Sequence, residues 1–314
     1  MNLSIAAIAS AFVSLYPVSA QLVNMPDLDR FYGSLHDYVR MVTRGYSQLL
    51  MLDARGGLGK TYNVRSILEE ECDGDSNSTD EWIHQSGFTT PIELFKTLWK
   101  SRHADTVLFL DDMSGIAGNQ KAVDMLKAAT DTDGSENVVQ YRSSRDIEHP
   151  FMDGVTLPNT FTFRGRIIMS FNDTPDTKHF EALKDRGTYY EMCFNYQERL
   201  DLIREITCVD EISGLSIEKQ VETAEWIADV TDASYDVTIR TFEEICTMRE
   251  FAGNEGGNWK KMAYDLFDMD WIKHRIISMR DDGVPIQKQC EELDISRGTY
   301  YDRLDELRND RGTV

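Results

Sequence analysis

One eight-residue segment of the chain combines glycines with a lysine and a hydroxyl side chain. Its residues are Ala54, Arg55, Gly56, Gly57, Leu58, Gly59, Lys60 and Thr61. Glycines let backbone N–H groups turn inward around an anion, because no Cβ obstructs them. A lysine at the end of such a loop supplies a positive charge for phosphate oxygens, and the neighbouring hydroxyl is a ligand for Mg²⁺. The segment therefore predicts a loop that binds the phosphates of ATP.

The sequence around this segment supports the prediction. The segment matches the Walker A pattern in its Ala/Gly-x-x-x-x-Gly-Lys-Ser/Thr form. Residues 48–53 are a short apolar run, as expected of a buried parallel strand, and residues 61–71 carry a helical pattern. A helix that starts at the loop adds the positive end of its dipole to the phosphate site. We expect Lys60 to neutralise charge on the β- and γ-phosphates and Thr61 to bind Mg²⁺.

Two adjacent acidic residues close another apolar run. Residues 106–110 predict a strand that ends in Asp111 and Asp112. The carboxyl ends of parallel strands are where α/β proteins bind their ligands. We expect Asp111 to hold Mg²⁺ through water and Asp112 to orient the attacking water, as a Walker B element does. Acidic residues at strand ends are common, so this prediction depends on its combination with the phosphate loop.

Two further polar residues follow a later strand pattern at residues 167–171. Asn172 ends that run and is expected to contact the γ-phosphate or the attacking water; the alternative is a turn residue. Arg186 is expected to reach the γ-phosphate of a neighbouring subunit; the alternative is a surface ion pair. Both are predicted as catalytic residues together with Asp112.

The order of elements indicates an α/β protein. Strand patterns also occur at residues 82–85, 138–141 and 161–163, and helical patterns lie between several of the strands. Such alternation predicts a parallel sheet flanked by helices. After about residue 195 only helical patterns follow. We expect four units: an apolar N-terminal segment, a P-loop ATPase core, a helical lid and a small helical C-terminal domain, at residues 1–27, 28–196, 197–255 and 256–314.

Together these motifs resemble the AAA+ ATPase family over roughly residues 28–250. The resemblance rests on the Walker A loop, the strand that ends at Asp111 and Asp112, a sensor-1-like Asn172 and an arginine-finger-like Arg186. The stretch from residue 163 to residue 186 is similar to AAA+ ATPases of phages and archaeal viruses. The resemblance implies a five-stranded parallel sheet, a helical lid, and assembly into a homo-oligomeric ring or hexamer.

The family pattern carries two further implications. It implies a sensor-2 arginine on the lid, and Arg240 is the residue that fits; a solvent-facing helix arginine is the alternative. Most relatives have Asp-Glu at the Walker B position, whereas this chain has Asp112 in place of the glutamate. The shorter side chain implies slow hydrolysis or a switch-like role. The loop is also similar to that of partitioning ATPases, but these need a lysine at the position of Arg55.

Two segments outside the phosphate loop are candidates for contact with DNA. Residues 138–163 resemble a hairpin insertion that touches the translocated substrate in some AAA+ classes, with Arg142 and Arg145 near its tip; a solvated loop is the alternative. Residues 285–308 resemble a helix-turn-helix. Its second helix begins after Ser296, a good N-cap, and would offer a set of side chains to a major groove. These are Arg297, Thr299, Tyr301 and Arg303.

The charge of the chain limits its interactions. Its 33 basic and 54 acidic residues give a formal net charge of −21. This charge argues against nonspecific binding of nucleic acid or membrane by the body of the protein. Residues 281–314 hold five Lys/Arg and nine Asp/Glu, which weakens attraction to phosphates and leaves a protein-docking module as the alternative.

The cysteines and the N-terminal segment are used to predict the cellular compartment of the protein. Five scattered cysteines without a C-x-x-C pair predict reduced thiols in a cytoplasmic protein. The apolar N-terminal segment has no Lys or Arg before Arg30, so we favour a buried or partner-binding helix over a signal peptide. Ser14, Tyr16 and Pro17 interrupt that run and argue against a membrane span.

These observations lead to one principal hypothesis. The chain is expected to be an ATP-hydrolysing motor or switch that acts on DNA, in the replication, recombination or genome handling of a virus or mobile element. The alternatives are a protein-remodelling ATPase whose tail docks a partner, and a regulator in which nucleotide binding matters more than turnover.

Overall fold

The computed structural model describes most of the chain from residue 27 onward. The described residues are 27–72, 82–87, 89–131, 136–142, 146–172, 177–209, 211–281 and 283–311. The predicted N-terminal apolar helix and Arg145 lie outside the described residues.

Within the described residues, five parallel strands form the central sheet: β1 (Leu49–Asp53), β2 (Trp82–Ser86), β3 (Val107–Asp111), β6 (Arg166–Phe171) and β7 (Thr188–Glu191). Their order across the sheet is β2-β3-β6-β1-β7. Because β1, β3 and β6 are covered on both faces, their residues are nearly all buried, which explains their continuous apolar runs. The fold class predicted from the sequence is confirmed.

The strand β7 at the sheet edge was not predicted from sequence pattern. Its residues are half-buried to exposed, so it has no apolar run. It pairs with β1, where Asp53 lies opposite Glu191. On the other side of β1, Asp53 lies opposite Phe171. This register brings the carboxyl ends of β1 and β6 to the same edge of the sheet.

Six helices of the described part of the chain accompany the sheet, and alternate residues of β1 pack on its opposite faces. Leu49 and Met51 join one apolar cluster, and Leu50 and Leu52 join the other. This is the period of two expected of a strand between two helical layers. The helices are α1 (Asp29–Thr43), α2 (Lys60–Glu71), α3 (Pro91–Lys100), α4 (Ser114–Ala117), α5 (Gln120–Ala129) and α6 (Lys178–Lys184).

A two-stranded antiparallel hairpin lies between α5 and β6. Its strands are β4 (Val138–Gln140) and β5 (Thr160–Thr162). Both strands were predicted at these positions, and the hairpin confirms them. The hairpin packs on α3 through an aromatic contact: the ring centroids of Phe161 and Phe95 lie 5.1 Å apart.

The rest of the described chain is helical, as predicted. Four helices share one apolar core, and three further helices share a smaller one around Ile276 and Tyr300. The predicted boundaries at residues 27, 196 and 255 stay predictions. The helices are α7 (Tyr196–Ile206), α8 (Ile217–Val230), α9 (Ile239–Glu255), α10 (Trp259–Leu266), α11 (Trp271–Asp281), α12 (Ile286–Leu293) and α13 (Arg297–Arg311).

No helix within the described ranges combines the length and the hydropathy of a segment that crosses a membrane.

Candidate nucleotide-binding site

The phosphate loop joins β1 to α2, and two of its glycines have backbone conformations that favour glycine. Gly57 has φ of +76° and Gly59 has φ of +74°. Both positions are also crowded. A Cβ on Gly57 would lie 2.9 Å from Thr238 Oγ1, and a Cβ on Gly59 would lie 2.7 Å from the Tyr32 hydroxyl. The loop therefore needs glycine at these two positions for both conformation and space.

Side chains from α1 and α2 hold the loop in place. The Tyr32 hydroxyl donates a 3.0 Å hydrogen bond to Leu58 O, and Asn63 Nδ2 donates a 2.9 Å bond to Gly59 O. His36 Nε2 lies 2.9 Å from Asn63 Oδ1. Burial raises the pKa of Tyr32, so its phenol remains a donor at neutral pH. No local pattern in the sequence indicated that α1 packs here.

The predicted phosphate-binding lysine is buried at the base of the loop. Lys60 Nζ donates hydrogen bonds of 2.9 Å to Ala54 O and 3.1 Å to Asn172 Oδ1, and a third to Phe171 O. Burial lowers the pKa of Lys60 and outweighs the opposite effect of nearby carboxylates, first among them Asp111. The ammonium group is thus held by three neutral oxygen acceptors and lies near acidic residues.

The two residues predicted to bind Mg²⁺ contact each other. Thr61 Oγ1 lies 3.1 Å and 3.0 Å from the two carboxylate oxygens of Asp111. The Ser170 hydroxyl also donates to Asp111 Oδ1, and His84 Nε2 lies 3.6 Å from Oδ2. Burial raises the pKa of Asp111, but hydrogen bonds from His84, Ser170 and Thr61 outweigh it and lower the pKa. The carboxylate therefore stays ionised inside the fold.

Ser170 and His84 were not predicted from the sequence as residues of this site. Ser170 is the one hydroxyl residue in the apolar run of β6, and that break in the run is the signal that could have identified it. His84 lies on β2, one strand beyond Asp111, and its position depends on the strand order.

The predicted water-orienting acid is in an unusual backbone conformation. Asp112 has φ of +54°, in the left-handed region that Asp and Asn enter more readily than other residues with a side chain. The Asp112 amide donates a 3.2 Å hydrogen bond to Ser170 Oγ, and the Asp112 carboxylate accepts a 2.9 Å hydrogen bond from Asn172 Nδ2. Asn172 thereby bridges Lys60 and Asp112 with its two amide atoms. Such outliers concentrate at functional sites.

These residues fit a nucleoside triphosphate with Mg²⁺. The loop has left-handed glycines, and α2 begins at Lys60 directly after it, as an anion site requires. A carboxylate and a hydroxyl oxygen side by side, at Asp111 and Thr61, suit a hard cation. When bound, Mg²⁺ supplies positive charge against the phosphate oxygens.

The start of α9 rests on the phosphate loop. The Ile239 amide donates a 3.0 Å hydrogen bond to Gly57 O. Arg55 Nη1 lies 3.1 Å from Asp236 Oδ1. A Cβ on Gly57 would lie 3.3 Å from the Cβ of Arg240, whose side chain is exposed. The structure thus places Arg55 and Arg240, both predicted to bind nucleotide, at the contact between the loop and α9.

Arg186 lies apart from this group of contacts. It follows α6, and its Nη1 donates a 2.8 Å hydrogen bond to Ala182 O. Its Nε is buried without a hydrogen-bond partner among the described residues. The guanidinium group therefore turns back on its own helix in this structure.

The C-terminal helices place the predicted DNA-reading residues on α13. Thr299 N donates 3.0 Å to Ser296 Oγ, which confirms Ser296 as the cap of this helix. Arg297, Thr299 and Tyr301 are exposed. Arg303 Nη1 lies 3.1 Å from Asp270 Oδ2 and 3.0 Å from Glu306 Oε2, so it is already paired.

Strand order and loop geometry define the fold of a P-loop NTPase: strand, phosphate loop and helix, with acids at the end of β3. No protein-family model matches the chain. The chain is 23% identical over 235 residues to the uncharacterized 36.7 kDa protein in the nrdC-mobD intergenic region of Enterobacteria phage T4. That alignment covers 71% of this chain and 69% of the phage protein.

Several solved structures align with most of the chain at low identity. Cdc6p from Pyrobaculum aerophilum aligns with TM-score 0.48 and 13% identity, over 96% of this chain and 89% of that one. Domain III of the replication initiation protein DnaA from Thermotoga maritima aligns with TM-score 0.46 and 13% identity, over 76% and 91%. AMPPCP-bound DnaA from Aquifex aeolicus aligns with TM-score 0.42 and 10% identity, over 90% and 89%.

Proposed function

We propose that the protein is an AAA+ ATPase that binds ATP with Mg²⁺, hydrolyses it, and acts on DNA. One observation supports this most strongly: Asn172 bridges Lys60 and Asp112 at the mouth of the phosphate loop. A cation for phosphates and a carboxylate for water are thereby held in one hydrogen-bonded group. Thr61 and Asp111 form the adjoining pair of oxygen ligands.

Each residue of this group has a distinct role in the proposed reaction. Lys60 holds the phosphate oxygens, and the backbone N–H groups of residues 54–61 surround them. Asp112 accepts a hydrogen bond from the attacking water and orients it. Asn172 keeps the Asp112 carboxylate in position through its 2.9 Å bond. Asp111 stays ionised because three donors surround it.

The lid and the neighbouring subunit complete the proposed site. Arg240 lies on α9 beside Gly57, where it can approach a γ-phosphate. Arg186 is proposed to act on the site of a second copy in a ring, after it releases Ala182 O. The units at residues 28–196, 197–255 and 256–314 are proposed as ATPase core, lid and C-terminal domain.

The DNA part of the proposal rests on α13 and on the phage relative. The exposed side chains of Arg297, Thr299 and Tyr301 lie on one capped helix, which suits major-groove contact. A relative encoded by a bacteriophage is consistent with genome handling in a virus or mobile element.

The alternative is a protein-remodelling or regulatory ATPase whose C-terminal helices dock a protein. The pairing of Arg303 with Asp270 and Glu306 favours it, because that cation is not free to meet phosphates.

ATP turnover with and without DNA separates these functions. We expect Mg²⁺-dependent turnover that rises with duplex or single-stranded DNA, and a mass in solution that increases with ATP. Turnover without any DNA binding, at low and high salt, favours the protein-docking alternative. Absence of nucleotide binding with Mg²⁺ present would contradict the proposal as a whole.

A further inference from the structure

A group of aromatic rings and cations lies between α3 and the segment that joins β4 to β5. It consists of Trp99, Lys100, Arg102, His149 and Phe151, which we call the ring-and-cation patch. The ring centroid of Trp99 lies 4.6 Å from that of His149 and 6.4 Å from that of Phe151. The nucleotide-binding site uses none of these residues.

Two of the three rings of the patch have a cation against them. Arg102 Cζ lies 3.8 Å from the Trp99 ring centroid, and Lys100 Nζ lies 5.4 Å from that of Phe151. Phe151 is 62% exposed, although it is a large apolar side chain. Rings that alternate with cations are how proteins hold unpaired bases and the phosphates between them.

An arginine-lined cavity adjoins the patch. The Arg164 amide donates a 2.9 Å hydrogen bond to Arg102 O, which connects the two features. The cavity has a volume of about 540 Å³, and Arg44 and Arg166 also line it. The exposed Tyr46 lies in the turn between two of its lining residues, Gly45 and Ser47.

Both cations and acids occur in this region. Residues 96–102 hold three cations and no acid, whereas residues 146–153 hold three acids and Asp105 lines the cavity. Two of the cations have limited freedom: Arg166 donates to the carbonyl oxygens of Val42 and Ala104, and Arg44 pairs with Glu71 at 2.7 Å. The Arg164–Glu136 pair is long, at 3.5 Å, and both side chains are 69% exposed. Lys100 and Arg164 are thus the cations best placed to meet phosphates.

We propose that the ring-and-cation patch binds single-stranded DNA, with a base stacked on Phe151 and backbone phosphates at Lys100 and Arg164. Single strands are favoured over duplex, because the faces of paired bases are covered by their neighbours in the stack. This inference rests on the proposed function and specifies the surface that binds single-stranded DNA.

Binding of matched oligonucleotides tests the stacking. Phe151→Ala should weaken binding of oligo(dT) roughly 5- to 150-fold, the equivalent of one stacked base. The same variant should change binding of an abasic oligonucleotide of equal length less than about twofold, because no base can stack. Phe251→Ala is the matched control, since Phe251 is 53% exposed on α9, and it should bind both oligonucleotides as the wild type does.

Salt dependence tests the phosphate contacts. Lys100→Gln should reduce the slope of log Kd against log salt by about 0.7, the value for one contact to a single strand. Lys219→Gln, on the exposed surface of α8, should leave the slope unchanged.

The outcomes separate this inference from the proposed function. If Phe151→Ala binds oligo(dT) as the wild type does, or weakens both oligonucleotides equally, the stacking site is overturned and the proposed function stands. If the wild type binds no DNA, the DNA part of the proposed function fails, and this inference fails with it.

Discussion

The amide of Ile239 donates a 3.0 Å hydrogen bond to the carbonyl oxygen of Gly57. This bond joins the first residue of α9 to the middle of the phosphate loop. Thr238 lies against the same glycine, leaving no space for a Cβ there. A change in the loop on nucleotide binding would therefore act directly on the position of α9.

Ile239→Pro removes this one hydrogen bond and is compatible with the helix. Ile239 is the first residue of α9, where proline is tolerated, and Thr238 is already extended, as a residue before proline should be. We expect a loss of about 1 kcal/mol in the free energy of unfolding. Amide exchange should also become faster at residues 55–59. Ile239→Ala keeps the donor; equal exchange in the two variants would show that the bond does not hold the loop.

Lys60→Ala should abolish ATP turnover or reduce it by about 10²–10³, because a positioned cation is lost from the phosphate site. Turnover by purified protein measures this, and far-UV circular dichroism checks that the variant is folded. Unchanged turnover would refute the assignment of the phosphate loop.

Asp112→Asn should spare ATP binding and reduce turnover by about 10²–10⁴, the range for loss of a general base. Asparagine suits this position, because it tolerates the positive φ that Asp112 adopts. The measurements are the Kd for ATP and the single-turnover rate. A variant that hydrolyses ATP at the wild-type rate would exclude Asp112 as the residue that orients water.

Arg186→Ala should keep ATP binding and lose most turnover if Arg186 acts on a neighbouring subunit. Mixed with Lys60→Ala subunits, it should regain part of the activity, since some interfaces then combine an intact loop with an intact arginine. Turnover is measured across mixing ratios. No recovery at any ratio would argue for a structural role of the Arg186–Ala182 contact.

The two arginines of α13 should differ in their effect on duplex DNA binding. Arg297 is exposed, whereas Arg303 already pairs with Asp270 and Glu306. We expect Arg297→Gln to lower the slope of log Kd against log salt by about 0.9, the value for one phosphate contact. Arg303→Gln should change it less. Equal binding of all three proteins would favour the protein-docking alternative.

Much of the sheet could be predicted because burial on both faces leaves a clear pattern. The apolar runs at residues 48–53, 106–110 and 167–171 became β1, β3 and β6 with shifts of one residue. The edge strand β7 could not be found in this way, since its half-buried to exposed residues, Thr188 to Glu191, need no apolar pattern. Helix α1 was also missed, although its buried residues include Leu35 and Val39.

The candidate site likewise contains residues that local sequence could predict and residues that it could not. The phosphate loop could be predicted because its function depends on contiguous residues and on local backbone conformation, as at Gly57 and Gly59. Tyr32 could not, because its contact with the loop crosses 26 residues of sequence. Ser170 interrupts an apolar run, but no local pattern identifies its partner Asp111, 59 residues away.

The order of residues along the chain is sufficient to predict a phosphate loop, an acid pair at the end of a strand, and an α/β core followed by helices. Local propensity and apolar periodicity carry that information. The folded structure was needed to show that Asn172 bridges Lys60 and Asp112, that the Ile239 amide bonds to Gly57 O, and that Arg186 turns back on its own helix. These contacts depend on strand order, register and helix packing, which bring together residues with no local signal for one another.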